Sequence, residues 1–124
     1  MLAQRHKHLY GTKREHFAEV CIDARAVNDW AIEYQRFSPR YVPTATIPLL
    51  STETAVAEVH RAAGLGFHAG YLSVVPPIGA ADWNYDVWEP LWAAMEETGM
   101  VVAFHIGTEP HDAASFHGSY FRGH

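Results

Sequence analysis

The alternation of apolar and polar positions predicts three helices and three strands in turn. In "FAEVCIDARAVNDWAIEYQRF", residues 17–37, Val20, Ala24, Val27, Trp30, Ala31 and Tyr34 recur at steps of three and four. That spacing is the stripe of an amphipathic helix. Ser38 precedes Pro39, and a residue before proline is pushed out of the helical region, so "SPR" ends the helix. Val42, Thr44, Ala45, Thr46 and Ile47 then favour a strand. Pro43 lacks a ladder donor and belongs at its first residues, and Pro48 closes it.

"STETAVAEVHRAAGLGF" reads as a second helix. Ser51 caps it, and Glu53 suits the positive end of its dipole. Ala55, Val56, Val59, Ala62 and Ala63 form the expected buried stripe, and Gly66 supplies the left-handed residue that closes the helix. "HAGYLSVV" follows as a second strand, dominated by Tyr71, Leu72, Val74 and Val75. After the loop "PPIGAADWNY", Asp86 is expected to cap "DVWEPLWAAMEETG", with Glu89 three residues on as in a capping box. Pro90 is tolerable because it falls in the first turn. Trp88, Leu91, Trp92 and Met95 make the apolar face, and Gly99 ends the helix. Residues 100–106 form the third strand. The remainder, 108–124, is polar and aperiodic and reads as loop or tail.

Strands joined by helices of this length run parallel, with right-handed crossovers. Their nearly continuous apolar runs fit a sheet covered on both faces. The fold class is therefore α/β, a parallel βαβαβ segment.

The length of 124 residues fits one domain and is too short for two. Hydrophobic residues make up 48% and charged residues 19%, which suits a globular chain. No apolar run approaches the roughly 18 residues of a membrane span, and the amino end lacks a secretory pattern. A lone cysteine, Cys21, cannot form an internal disulfide, so a cytoplasmic location is the default. The formal charge of −5 argues against nucleic acid as the main partner. Arg5, Lys7, Lys13 and Arg14 gather near the start, where a solvated face is the ordinary explanation.

The candidate chemistry centres on "VVAFHIG", where His105 sits at the exit of an apolar strand. In parallel α/β proteins, reacting groups collect at the carboxyl ends of the strands. A neutral imidazole there can bind a metal or shuttle protons, or it can simply hydrogen-bond within the core or loop. "GLGFHAG" has glycines, but they follow a helix and precede a strand, the wrong order for a nucleotide-binding turn. No Gly-x-Ser-x-Gly elbow is present.

"AVNDWAIEY", "IPLLSTETAVAEVHRAAGLGFHAGYL" and "YDVWEPLWAAMEETGMVVAFHIG", from about Asn28 to Gly107, resemble the amidohydrolase-related superfamily. They are most similar to the group with aminocarboxymuconate-semialdehyde decarboxylase and related hydratases. The resemblance implies a metal-dependent (β/α)8 TIM barrel that holds a divalent metal, commonly zinc, at its mouth. It also implies ligands from a first-strand His-x-His pair, a fifth-strand histidine and an eighth-strand aspartate. His105 in "AFHIG" matches the fifth-strand histidine, which makes the three strands here the third, fourth and fifth. Asp82, Trp83 and Asn84 then fall on the side where the family places its substrate, although the loop's composition equally suits a turn anchored by its tryptophan.

A complete barrel takes roughly 250 residues, so residues 1–124 are expected to be a single partial domain, a fragment of the enzyme. His6 and His8 have His-x-His spacing but lack the apolar strand that precedes the family's pair. His111, Asp112, His117 and His124 read as a chance loop cluster. The expected function is that of a fragment of an enzyme acting by hydrolysis or decarboxylation on a small carboxylic substrate, inactive alone. Two alternatives stand beside it. One is a non-catalytic module that self-associates or binds a partner through open sheet edges. The other is an independent, flavodoxin-like α/β protein in which His105 is structural.

Overall fold

The computed structural model describes residue 11 and residues 13–74, 76–77 and 80–105. Helix α1 spans Arg14–Gln35, strand β1 Ala45–Thr46, helix α2 Thr52–Leu65 and strand β2 Ala69–Ser73. A 3-10 turn, Asp86–Trp88, then leads into helix α3, Glu89–Thr98, and strand β3, Val101–His105. The order matches the alternation predicted from sequence. Sheet order is β1-β2-β3 with both pairs parallel, in the register Ala45↔Gly70 and Ser73↔His105.

Local signals explain most of the boundaries. Ser51 Oγ accepts from the Thr54 backbone N–H at 3.2 Å, and Thr54 Oγ1 accepts from the Ser51 N–H at 3.1 Å. Two orphan donors at the start of α2 are thereby satisfied. Gly66 and Gly99 end α2 and α3 with φ of 101° and 67°, a region that costs a side chain strain. Asp86 does not cap α3. It opens the 3-10 turn, with Tyr85 before it, and α3 begins only at Glu89 with Pro90 in its first turn. The β1 pairing is two residues long, shorter than its β-favouring run, because Pro43 and Pro48 remove donors on either side.

All three helices lie on one side of the sheet. Ala45 and Leu72 point into a buried cluster with Ala55, Val59, Leu91 and Met95. A Cβ on Gly70 would lie 2.6 Å from Met95 Cε and 3.2 Å from both Ile47 Cγ1 and Met100 Sδ, so this strand meets its helices without room for a side chain. The opposite face carries Thr46, Ala69, Tyr71, Ser73, Val101, Ala103 and His105 by alternation, and none of these is buried. Val101 is 65% exposed. The expectation of a sheet covered on both faces is thus corrected: among the described residues, helices cover one face alone. The apolar run of β3 resembles a two-sided core strand, but its uncovered residues are apolar without being buried.

The stripe predicted for α1 also changes. Its buried line is Ala24, Asn28 and Ala31, while Val20, Val27, Trp30 and Tyr34 are exposed. A polar residue holds the centre of the packed line because its amide has a specific task, described below.

Candidate active site at the strand ends

His105 is the last residue of β3, at the carboxyl end of the sheet. Its register partner on β2 is Ser73, and the rings of His105 and Tyr71 meet edge to face with centroids 5.7 Å apart. That contact places the imidazole on the face away from the helices. In a sheet that curls into a barrel with its helices outside, this face is the interior, and its carboxyl end is the mouth. His105 therefore lies on that face, at the end of its strand.

The loop between β2 and α3 approaches this end of the sheet and is pinned by two indoles. Trp83 Nε1 donates to the Val74 carbonyl at 3.0 Å, and Trp88 Nε1 donates to the Ala81 carbonyl at 3.0 Å. The Trp83 ring is buried against Trp88, Trp92 and Phe104, with centroids 4.7, 5.7 and 6.0 Å away. Asp82, next to it, is half-buried, and its carbonyl accepts from the Tyr85 N–H at 3.1 Å. Asn84 is exposed. Trp83 thus fixes the path of the loop, and Asp82 is carried on it. His60 and His68 lie away from the carboxyl ends of the strands. His60 faces Glu97 across α2 and α3 at 4.0 Å, and His68 precedes β2.

One network was not legible as a site in the sequence. Asn28 Nδ2 donates to the Thr46 carbonyl at 2.9 Å, and its Oδ1 accepts from the Thr46 N–H at 2.7 Å. The side-chain amide therefore takes the place of a neighbouring strand along β1. Asn28 Nδ2 also donates to Glu58 Oε1 at 2.8 Å, and Glu58 is buried on α2. Arg61 donates to both Glu58 oxygens at 2.9 and 2.8 Å and to Asp29 Oδ1 at 2.7 Å, while Arg25 reaches Glu58 Oε2 at 3.3 Å. Burial pushes the Glu58 carboxyl up, yet the hydrogen bonds from Arg61, Asn28 and Arg25 outweigh it and hold the group below its ordinary 4.5. Arg61 is raised in turn, chiefly by its hydrogen bond to Glu58. The available signal was a glutamate on the apolar face of α2, between Ala55 and Val59, with an arginine three residues on.

The sign of the pH effect follows. The folded value of Glu58 lies below the unfolded one, so its stabilisation is fully present above 4.5 and is lost as pH falls through the folded value. The urea midpoint should fall on acidification below pH 4.5, and Glu58→Gln should show a shallower acid limb. Equal acid limbs in the two proteins would place the sensitivity elsewhere.

The sequence pattern of the amidohydrolase family matches residues 3–122, nearly the whole chain. The chain belongs to the amidohydrolase family. No curated protein is similar enough to count as a match. The parallel sheet with its helices on one side is what a segment of an amidohydrolase TIM barrel looks like, and the family generally uses divalent metals. Among the described residues, no group of three His, Cys, Asp or Glu could hold a metal ion. His105 contributes one nitrogen, where a catalytic zinc takes three protein ligands. The described residues of this amidohydrolase therefore do not complete such a site. His6, His8, His111, Asp112, His117 and His124 lie outside the described residues. No described helix is long and apolar enough to cross a membrane.

Proposed function

We propose that this chain is the central part of a metal-dependent amidohydrolase barrel, supplying its third, fourth and fifth strands and one metal ligand, His105. The observation that carries the reading is the imidazole at the carboxyl end of β3, on the face turned from the helices. Among the described residues the sheet has three parallel strands, and helices leave its inner face uncovered, which supports a fragment, since a closed barrel has more strands and fills that face. In the group with aminocarboxymuconate-semialdehyde decarboxylase, the metal would be zinc. The reaction would be hydrolysis or decarboxylation of a small carboxylic substrate. Asp82, carried on the loop that Trp83 anchors, would line the substrate side.

The residues of this chain then have separable tasks. His105 holds the metal, Tyr71 limits the swing of its ring, and Trp83 anchors the loop that carries Asp82 to the start of α3. With one ligand among the described residues, the chain needs further parts of the barrel to be active. Calorimetric titration of the purified chain with Zn2+ tests the assignment. His105→Ala should weaken the tightest site at least about tenfold, because each lost ligand removes a metal–nitrogen bond. Unchanged affinity and stoichiometry would remove His105 from the metal's coordination.

A further inference from the structure

We propose that the outer face of α1 is the surface through which two copies of this chain associate as a two-fold pair. Val20, Val27, Trp30 and Tyr34 follow one another at seven, three and four residues, and Phe37 continues the line past the helix end. This is heptad spacing, the pattern that seats one helix against another. The line is separate from the buried one of Ala24, Asn28 and Ala31, so α1 is apolar on two sides. The rings are already ordered among themselves: Trp30 and Tyr34 have centroids 4.7 Å apart, and Tyr34 and Phe37 6.0 Å apart. Trp30 is 57% exposed and Phe37 84% exposed.

Size and charge select the occupant. With Tyr41, whose ring centroid lies 6.4 Å from that of Tyr34, the exposed apolar area comes to roughly 600 Å², approaching the about 800 Å² that each partner gives to a stable interface. A two-fold pair requires a surface complementary to itself. An antiparallel pairing centred between Val27 and Trp30 sets each Val20 against the other copy's Phe37. It also brings Glu19, toward one end of the helix, near Arg36 and Arg40 just past the other, while Asp23, which lies within the line, faces the edge of the other copy's Tyr34. Opposite charges then flank the apolar strip at both ends. Sheet-edge association is weaker for β1, because the Asn28 amide already holds both backbone groups of Thr46.

Sedimentation velocity over a range of protein concentrations tests the proposal, with circular dichroism to confirm folding. The unmodified chain should dimerise. Trp30→Glu should raise the dimer Kd about 100-fold or more, as loss of a central aromatic anchor does. Phe37→Ser, at a position too exposed to matter for the fold, should raise it several-fold. Val101→Glu, on the uncovered sheet face, should leave it unchanged. A chain that is monomeric at every concentration overturns the proposal. So does a dimer that withstands both α1 substitutions, or one lost on Val101→Glu alone. None of these readings depends on metal.

Discussion

Asn28→Ala should lower the stability of the folded chain by about 3 kcal/mol, read as a shift in the urea midpoint at constant slope. The reasoning counts groups left without partners. The amide accepts from the Thr46 N–H and donates to both the Thr46 carbonyl and Glu58 Oε1, all within 2.9 Å. Asn28 is fully buried, so no water stands ready to replace it. Each buried group stripped of its partner costs on the order of 1–3 kcal/mol. Asn28→Asp is the sharper variant. It keeps the shape but turns a donor into an acceptor facing the Glu58 carboxylate at the 2.8 Å separation. It should cost more than alanine, about 4 kcal/mol, and should recover part of that loss as the pH is lowered and one carboxyl takes a proton. An aspartate variant as stable as the parent would show that the network does not hold β1 in place.

Trp83→Ala should cost about 4 kcal/mol, since a buried indole leaves a cavity among Trp88, Trp92 and Phe104. Trp83→Phe should cost about 1–2 kcal/mol, because a ring still fills the space and only the bond to the Val74 carbonyl is lost. The pair of variants separates two roles. A tryptophan that only lined a substrate pocket would tolerate alanine to within about 0.5 kcal/mol. A loop anchor would not. The loop around Asp82 should also become more open to limited proteolysis in Trp83→Ala than in Trp83→Phe.

Much of the fold was legible in the sequence because local and global signals agree. Ser51, Gly66, Gly99 and Pro90 mark helix ends by backbone chemistry that acts within a few residues, and all four act as read. The place of His105 at a strand exit was legible because the apolar run of β3 ends there. What escaped was long-range. The spacing on α1 offers two apolar lines, and only the position of β1 decides that the line through Asn28 is buried. Periodicity rewards hydrophobicity, so an asparagine whose hydrogen bonds cross 18 residues of chain counts against its own face. Glu58 was hidden in the same way. The start of α3 was misread because Asp86 and Glu89 satisfy a capping pattern, while the Trp88 N–H already closes a 3-10 turn on the Tyr85 carbonyl. The uncovered sheet face could not be read from β3 alone, since its apolar residues are the same whether helices or further strands lie against them.

The direct test of the central claim is where a metal sits relative to the sheet. Two-dimensional NMR of the chain with substoichiometric Co2+ reports this through distance-dependent paramagnetic shifts. The account predicts the largest shifts at His105, Tyr71 and Ser73, with Val59 and Ala62 in the helix layer little affected. Shifts centred on His60 or His68, with the His105 ring unmoved, would contradict it.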